Sequence, residues 1–317
     1  MATAAGTTTK WSRHRRLSLS RLGRGAVPYA LVAPVVGVMG AILGYPIYSL
    51  VRISLQRYGL FELIRHHGVY IGLHNFGTVL HDSVFWHTLL RTLVFAAANV
   101  ALTLVIGTLI ALLLVRLSTW VRLLVTGGLV LVWSTPPVVA VQVWNWMTNV
   151  QNGVVNYILT ELHVGNYFQH NWYTTSFSQL AMVTTLIVWG ALPFVAITVY
   201  AALSQVPQEL VEAAEIDGAR SWRVFLDVTL PVITPVILIL TSLSILWDFG
   251  VFTQPYLLIG QAHVTTGNYL MGIYLFEEGY VRADFGRGAA ISILMLVIVA
   301  ALSVVYVRRM IKIGEVT

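Results

Sequence analysis

The chain has 317 residues, of which 57% are hydrophobic and 10% charged, with a formal net charge of +6. A mean hydropathy of +0.77 excludes a soluble globular domain and a disordered chain, since both carry far more charge per apolar residue. With no cysteine, neither a disulfide framework nor a thiolate metal site can form.

Residues 1–26 form a basic tail holding Lys10, Arg13, Arg15, Arg16, Arg21 and Arg24 and no acidic side chain. A cluster of this kind beside a membrane span faces anionic lipid and sets topology, so lipid rather than nucleic acid is its expected partner. Six apolar stretches then reach the ~20 residues needed to cross a bilayer, near 27–51, 92–115, 123–147, 178–203, 232–256 and 288–307. The first is too long for the apolar region of a signal peptide, and more spans follow it, which predicts an uncleaved helix. The expectation is an all-α, polytopic membrane protein of about six transmembrane helices. A single transmembrane domain, 27–307, lies between the tail and a short second tail, 308–317.

Lys and Arg are unevenly placed. Arg116 and Arg122 follow the second span, Arg220 and Arg223 the fourth, and Arg308, Arg309 and Lys312 the sixth, on the side of the basic tail. The opposite side has only Arg57, Arg65, Arg282 and Arg287, with Arg52 and Arg91 at span ends. The positive-inside rule therefore predicts that both termini and the loop 204–231 are cytoplasmic.

Proline and glycine interrupt the spans at Pro34, Pro46, Pro136, Pro137, Gly190 and Pro193. Such breaks are tolerated where neighbouring helices or a cavity satisfy the freed backbone groups. Aromatic rings occur in the spans with polar companions: Trp133, Gln142, Trp144, Asn145, Trp189, Trp247, Asp248 and Gln254. Sugars offer C–H faces that stack on rings and hydroxyls that need hydrogen bonds. Gln142 and Asn145, one turn apart, are candidate pathway residues, with interhelical hydrogen bonding as the alternative. Trp144 and Trp146 also suit a membrane interface. Asp248 is the one acidic residue inside a span and is flanked by Trp247 and Phe249. An intramembrane carboxylate faces either a solute path or a partner on another helix, so Trp247 and Asp248 complete the candidate path.

The charged block Pro207–Pro235 stands apart from this apolar background. Pro207 reads as a first helical residue, Gly218 as a break after Asp217, and Ser221 as the cap of a second helix. That second helix carries Trp222, Phe225 and Leu226 at helical spacing and is expected to end at Leu230-Pro231. Glu212 and Glu215 lie on nearly one face, beside the low-profile Ala213 and Ala214. The order E-A-A-x-x-D-G-A, followed by L-P, closely resembles the cytoplasmic loop signature of bacterial ATP-binding-cassette (ABC) importer permeases. Glu212, Ala213, Ala214, Asp217, Gly218, Ala219, Leu230 and Pro231 occupy its positions.

Other segments resemble the carbohydrate group of these permeases, and within it the half related to the larger maltose-transporter permease. They are Ile71–Phe76, Pro136–Val139, Trp144–Met147 with Gly153 and Asn156, and Phe285–Ser292. The resemblance implies a type I importer permease fold in a bacterial plasma membrane. It also implies a coupling loop that docks on a separate ATPase: Glu212 pairs with a basic group, Gly218 makes the turn, and Trp222 and Phe225 supply the apolar contact. The implied partners are a second homologous permease, two copies of an ABC ATPase, an extracytoplasmic solute-binding protein and a carbohydrate.

The two lysines, Lys10 and Lys312, lie in the tails, and neither belongs to a G-x-x-x-x-G-K-[ST] loop. ATP and Mg are thus expected on the ATPases, with no cofactor, metal or catalytic chemistry in this chain. The adjacent His66 and His67 read as solvated loop residues. A permease for a non-sugar solute is the nearest alternative, disfavoured by the elements around Gly72 and Trp144. A secondary transporter or channel would leave the pattern from Glu212 to Pro231 unexplained.

Overall fold

The computed structural model describes residues 26–260 and 264–314, so nearly all of the basic tail lies outside the described residues. The chain divides into two units, Met1–Ser49 and Leu50–Thr317. The described part of the first is the opening of helix α1 (Ala26–Ser54). Its side chains are exposed at every position from 31 to 48, and it contains Pro34 and Pro46.

The second unit is helical apart from one short hairpin. From its N-terminal end it runs β1 (Gln56–Arg57), α2 (Leu60–Arg65), β2 (Val69–Tyr70), α3 (His74–His81), α4 (Ser83–Arg116), α5 (Thr119–Trp133) and α6 (Pro137–Met147). It continues with α7 (Val154–Glu161), α8 (Ser176–Leu203), α9 (Gln208–Ile216), α10 (Ser221–Val224), a π-helical turn (Phe225–Thr229) and α11 (Leu230–Phe249). Then come α12 (Thr253–Ile259), α13 (Met271–Phe276), a second π-helical turn (Glu277–Val281) and α14 (Phe285–Gly314). β1 and β2 pair antiparallel, Gln56 opposite Tyr70.

Among the described residues, five helices are long and apolar enough to cross a membrane: Leu31–Ser54, Ser83–Arg116, Ser176–Leu203, Ser221–Phe249 and Phe285–Arg308. The sixth expected span, 123–147, is not one rod. α5 and α6 meet at 100° across Ser134-Thr135-Pro136, because Pro136 and Pro137 cannot donate to the helical ladder and Pro136 keeps Thr135 out of helical geometry. The fifth span is also displaced from its expected place at 232–256. It starts at Ser221, ends at Phe249, and leaves Gln254 on a separate helix.

Three features differ from the sequence expectation in the block that begins at Pro207, the first being that Pro207 is the N-cap of α9, which starts at Gln208. Leu230-Pro231 does not end the second helix. Leu230 N–H bonds back to Phe225 O, five residues earlier, and this widened turn carries the backbone past Pro231 without a break. Ser221 is not a capping residue, since Arg220 holds the N-cap position and no side chain caps the helix.

The α4–α8 pair forms the centre of the unit. α4 buries Thr88, Thr92, Ala96, Asn99, Thr103, Gly107 and Ala111, a stripe of small residues three or four apart. In lipid, helices gain little from burying leucine against leucine, and small side chains that let backbones approach supply the packing. A Cβ at Gly107 would meet Val195 Cγ1 of α8 at 2.6 Å. Thr92 Oγ1 accepts the Met271 N–H at 2.9 Å, which ties α13 to the same stripe.

The segments between spans are held by polar contacts. Asn75 donates to Ser54 O and Gln56 O, both at 2.8 Å, beside Gly72 at φ +60°. Asp82 accepts the Val84 N–H at 2.9 Å as the N-cap of α4 and pairs with Arg287 at 2.5 Å. Arg287 also reaches Glu278 at 3.3 Å, and Glu278 pairs with Arg282 at 2.8 Å. Two cations thus balance two carboxylates, the condition under which charges can be buried. Burial pushes the nearby Tyr274 hydroxyl up to about 12, so it stays protonated and donates to Asp82 at 3.3 Å. Gly286 and Gly288 admit the close approach of α14 to β1 and to the second π-helical turn, where added Cβ atoms would strike Gln56 O and Gly279 Cα.

Replacing Gly107 with Ile forces α4 and α8 apart and is expected to cost about 1–3 kcal/mol. It should lower the midpoint of thermal unfolding in detergent, with Gly107→Ala less affected. An unchanged midpoint for Gly107→Ile would show that this seam does not limit stability.

Candidate functional site

The loop after α8 folds into an exposed helix with a fixed end. In α9 and the turn after it, Glu212, Ala213, Glu215, Ile216 and Asp217 are exposed, while Ala214 is half-buried. Ile216 is 86% exposed and Trp222, at the start of α10, 52% exposed, so apolar side chains stand out among carboxylates. The end of α9 explains the order of residues there. Gly218 adopts φ +81°, its N–H bonds to Glu215 O, and the Ala219 N–H bonds to Ala214 O, both at 3.0 Å. This is a Schellman ending, in which the residue after the cap is left-handed and the next one packs over the last turn. A Cβ at Gly218 would meet nothing within 4 Å, so the demand for glycine is conformational rather than steric. Arg223 stacks on Trp222 at 4.4 Å and lies 3.7 Å from Asp227. Phe225 is half-buried in the π-helical turn.

A second site lies where helices break. A cavity of about 310 Å³ is lined by Trp133 and Thr135 at the α5–α6 bend, by Trp189, Gly190 and Phe194 of α8, and by Trp247, Asp248 and Gln254 around the end of α11. Pro193 of α8 lacks the N–H that would pair with the carbonyl of the lining residue Trp189. Three interruptions of helical bonding therefore converge here. Trp133 stacks on Phe194 at 6.1 Å, and Phe194 meets Trp247 edge-on at 5.6 Å, giving a continuous aromatic wall. Asp248 is 8% exposed and opens onto the cavity. Among the described residues no hydrogen bond or ion pair reaches its carboxyl group.

The cavity brings together Trp247 and Asp248 but not Gln142 and Asn145. Those two lie on α6, exposed and half-buried respectively, outside the lining. Trp133, Trp189 and Gln254 do line it. Phe194 and Thr135 had no distinguishing residue type, and only their nearness to Pro193 and Pro136 could have marked them.

The model of the binding-protein-dependent transport system inner membrane component matches residues 103–311. The chain belongs to that family. It is therefore a membrane permease subunit of an ABC importer, with no catalytic reaction of its own. The diacetylchitobiose uptake system permease protein of Streptomyces coelicolor is 38% identical, over 94% of this chain and 90% of that one. The trehalose/maltose transport system permease protein of Thermococcus litoralis is 30% identical, over 88% and 92%. The fold matches a crystal structure of a bacterial ABC transporter involved in import of the acidic polysaccharide alginate, with TM-score 0.73, 19% identity, and coverage of 91% of this chain and 96% of that one.

In this permease, Gly218→Ala imposes a left-handed conformation on a residue with a Cβ, at about 1–2 kcal/mol. Amide hydrogen exchange at Gly218, Ala219 and the last turn of α9 should accelerate roughly five- to thirty-fold, while total helicity is retained. Unchanged protection would remove the Schellman ending as the reason for glycine.

Proposed function

We propose that this permease forms one half of the translocation path of a carbohydrate importer, and that the cavity at the helix breaks is where its solute makes contact. The observation that carries this reading is the aromatic wall of Trp133, Phe194 and Trp247 beside the polar groups of Asp248, Gln254 and Thr135. Stacking faces and hydrogen-bonding groups are what a sugar ring requires. The sugar-uptake names of the relatives support the same class, and a disaccharide is the solute we adopt.

The second half of the path is a homologous permease. ATP and Mg are bound by two copies of a separate ATPase, and a solute-binding protein delivers the sugar from outside. Both termini and α9 face the cytoplasm. The placement of Lys and Arg along the sequence supports this orientation.

α9 is the coupling element. Glu212 pairs with a basic group of the ATPase, Ala213 and Ala214 keep the contact surface low, Asp217, Gly218 and Ala219 fix the turn, and Trp222 and Phe225 provide apolar contact. From Ser221 to Phe249 the chain is one unbroken 29-residue helix. At ~1.5 Å per residue, it links the docking loop to Trp247 and Asp248 about 40 Å away. Movement of α9 with the ATPases thus reaches the cavity along a continuous helix, the kind of element that switches a site between two sides of a membrane.

Glu212→Lys reverses the docking charge without touching the membrane core. In the reconstituted complex, sugar uptake and sugar-stimulated ATP hydrolysis should fall together by at least about tenfold, with the permease still inserted and folded. Uptake at the wild-type rate would refute the coupling role of Glu212.

A further inference from the structure

We infer that the cavity selects solute by charge, admitting neutral and amino-bearing saccharides and rejecting anionic ones, with Asp248 as the discriminating group. The inference rests on the reading of this cavity as the sugar site and specifies what that site takes. The lining comes from α5, the α5–α6 bend, α6, α8, α11 and the segment into α12, and none of these contributes a lysine, arginine or histidine. Asp248 is the one titratable side chain among the lining residues, and no described residue neutralises it through an ion pair or hydrogen bond.

A uronate or phosphorylated sugar brings a full negative charge to Asp248 and finds no counter-charge among the lining residues, in a site walled largely by apolar atoms. An ammonium group meets the opposite situation, with a carboxylate to pair with and the faces of Trp133, Phe194 and Trp247 to stabilise a cation. A neutral sugar needs only hydrogen bonds, which the Asp248 carboxyl, Gln254 and Thr135 can supply. The ion network shows how this chain handles a buried carboxylate elsewhere, pairing Glu278 with both Arg282 and Arg287. At Asp248 that pairing is missing and the group opens onto a cavity, as expected if its partner arrives with the solute.

The test uses the assembled complex without its solute-binding protein, so that selection by that protein does not intervene. Trp133, Trp189 and Trp247 line the cavity and report binding by fluorescence. The probes are three β-linked disaccharides of equal length: diacetylchitobiose, its deacetylated diamine, and a uronate disaccharide. Wild-type complex should bind the uronate roughly tenfold or more weakly than diacetylchitobiose, and the diamine at least as tightly as the neutral sugar. Asp248→Asn, which preserves shape, should narrow the neutral-to-uronate gap to within about threefold. Asp248→Glu, which keeps the charge, should preserve the gap. Equal affinity of the wild type for uronate and neutral sugar, or an order unchanged by Asp248→Asn, overturns charge selection while leaving the sugar site intact. Absence of a response to all three disaccharides in intact wild-type complex overturns the sugar site itself, and the inference with it.

Discussion

Inside a bilayer every backbone N–H and C=O must find a partner within the protein, since neither water nor lipid can supply one. That constraint organises this permease. Proline interrupts helical bonding at several points, and three of the interruptions meet at one cavity that can receive the freed groups. The α5–α6 bend, Pro193 of α8 and the end of α11 at Gly250 are far apart in sequence, yet residues beside all three line one cavity. An interruption at any one of them alone would expose backbone to hydrocarbon at a cost of several kcal/mol per group. Brought together, they make a polar opening in an otherwise apolar wall.

The rest of the second unit acts as a frame around this opening. The stripe from Thr88 to Ala111 lets α4 lie close against α8. Thr92 and Arg91 bond to backbone groups of the segment that leads into α13. Arg287 joins the starts of α4 and α14 through Asp82 and Glu278. α8, and α11 with the π-helical turn before it, both reach from the exposed loop to the cavity. In the proposed coupling role, these two helices carry movement of the loop to the cavity.

Much of this was legible in the residues. Long apolar runs mark the spans, and the E-A-A-x-x-D-G-A order marks a helix that breaks at Gly218, whose left-handed conformation is seen in the structure. Pro136-Pro137 marked a break, though not an angle of 100°, because proline dictates the loss of a bond and not the direction the chain takes afterwards. Leu230-Pro231 read as a stop, whereas a widened turn absorbed the missing N–H. Gln142 and Asn145 are polar residues in an apolar helix, and such a helix has no amphipathic face to say which side meets the cavity. Phe194 gave no signal of its own. The pairing of Asp82 with Arg287 spans 205 residues and rests on tertiary structure alone. The small-residue stripe on α4 is visible in the sequence at three- and four-residue spacing, and it marks the α8 contact once the membrane setting is recognised.

In the proposed function, solute passes through the cavity where the helix breaks converge. The most direct measurement is a structure of the assembled complex trapped with a disaccharide. Passage through this cavity predicts sugar rings against the wall of Trp133, Phe194 and Trp247, with a hydroxyl or amino group at Asp248. Sugar bound instead along the α6 face of Gln142 and Asn145, with the cavity left empty, would contradict it.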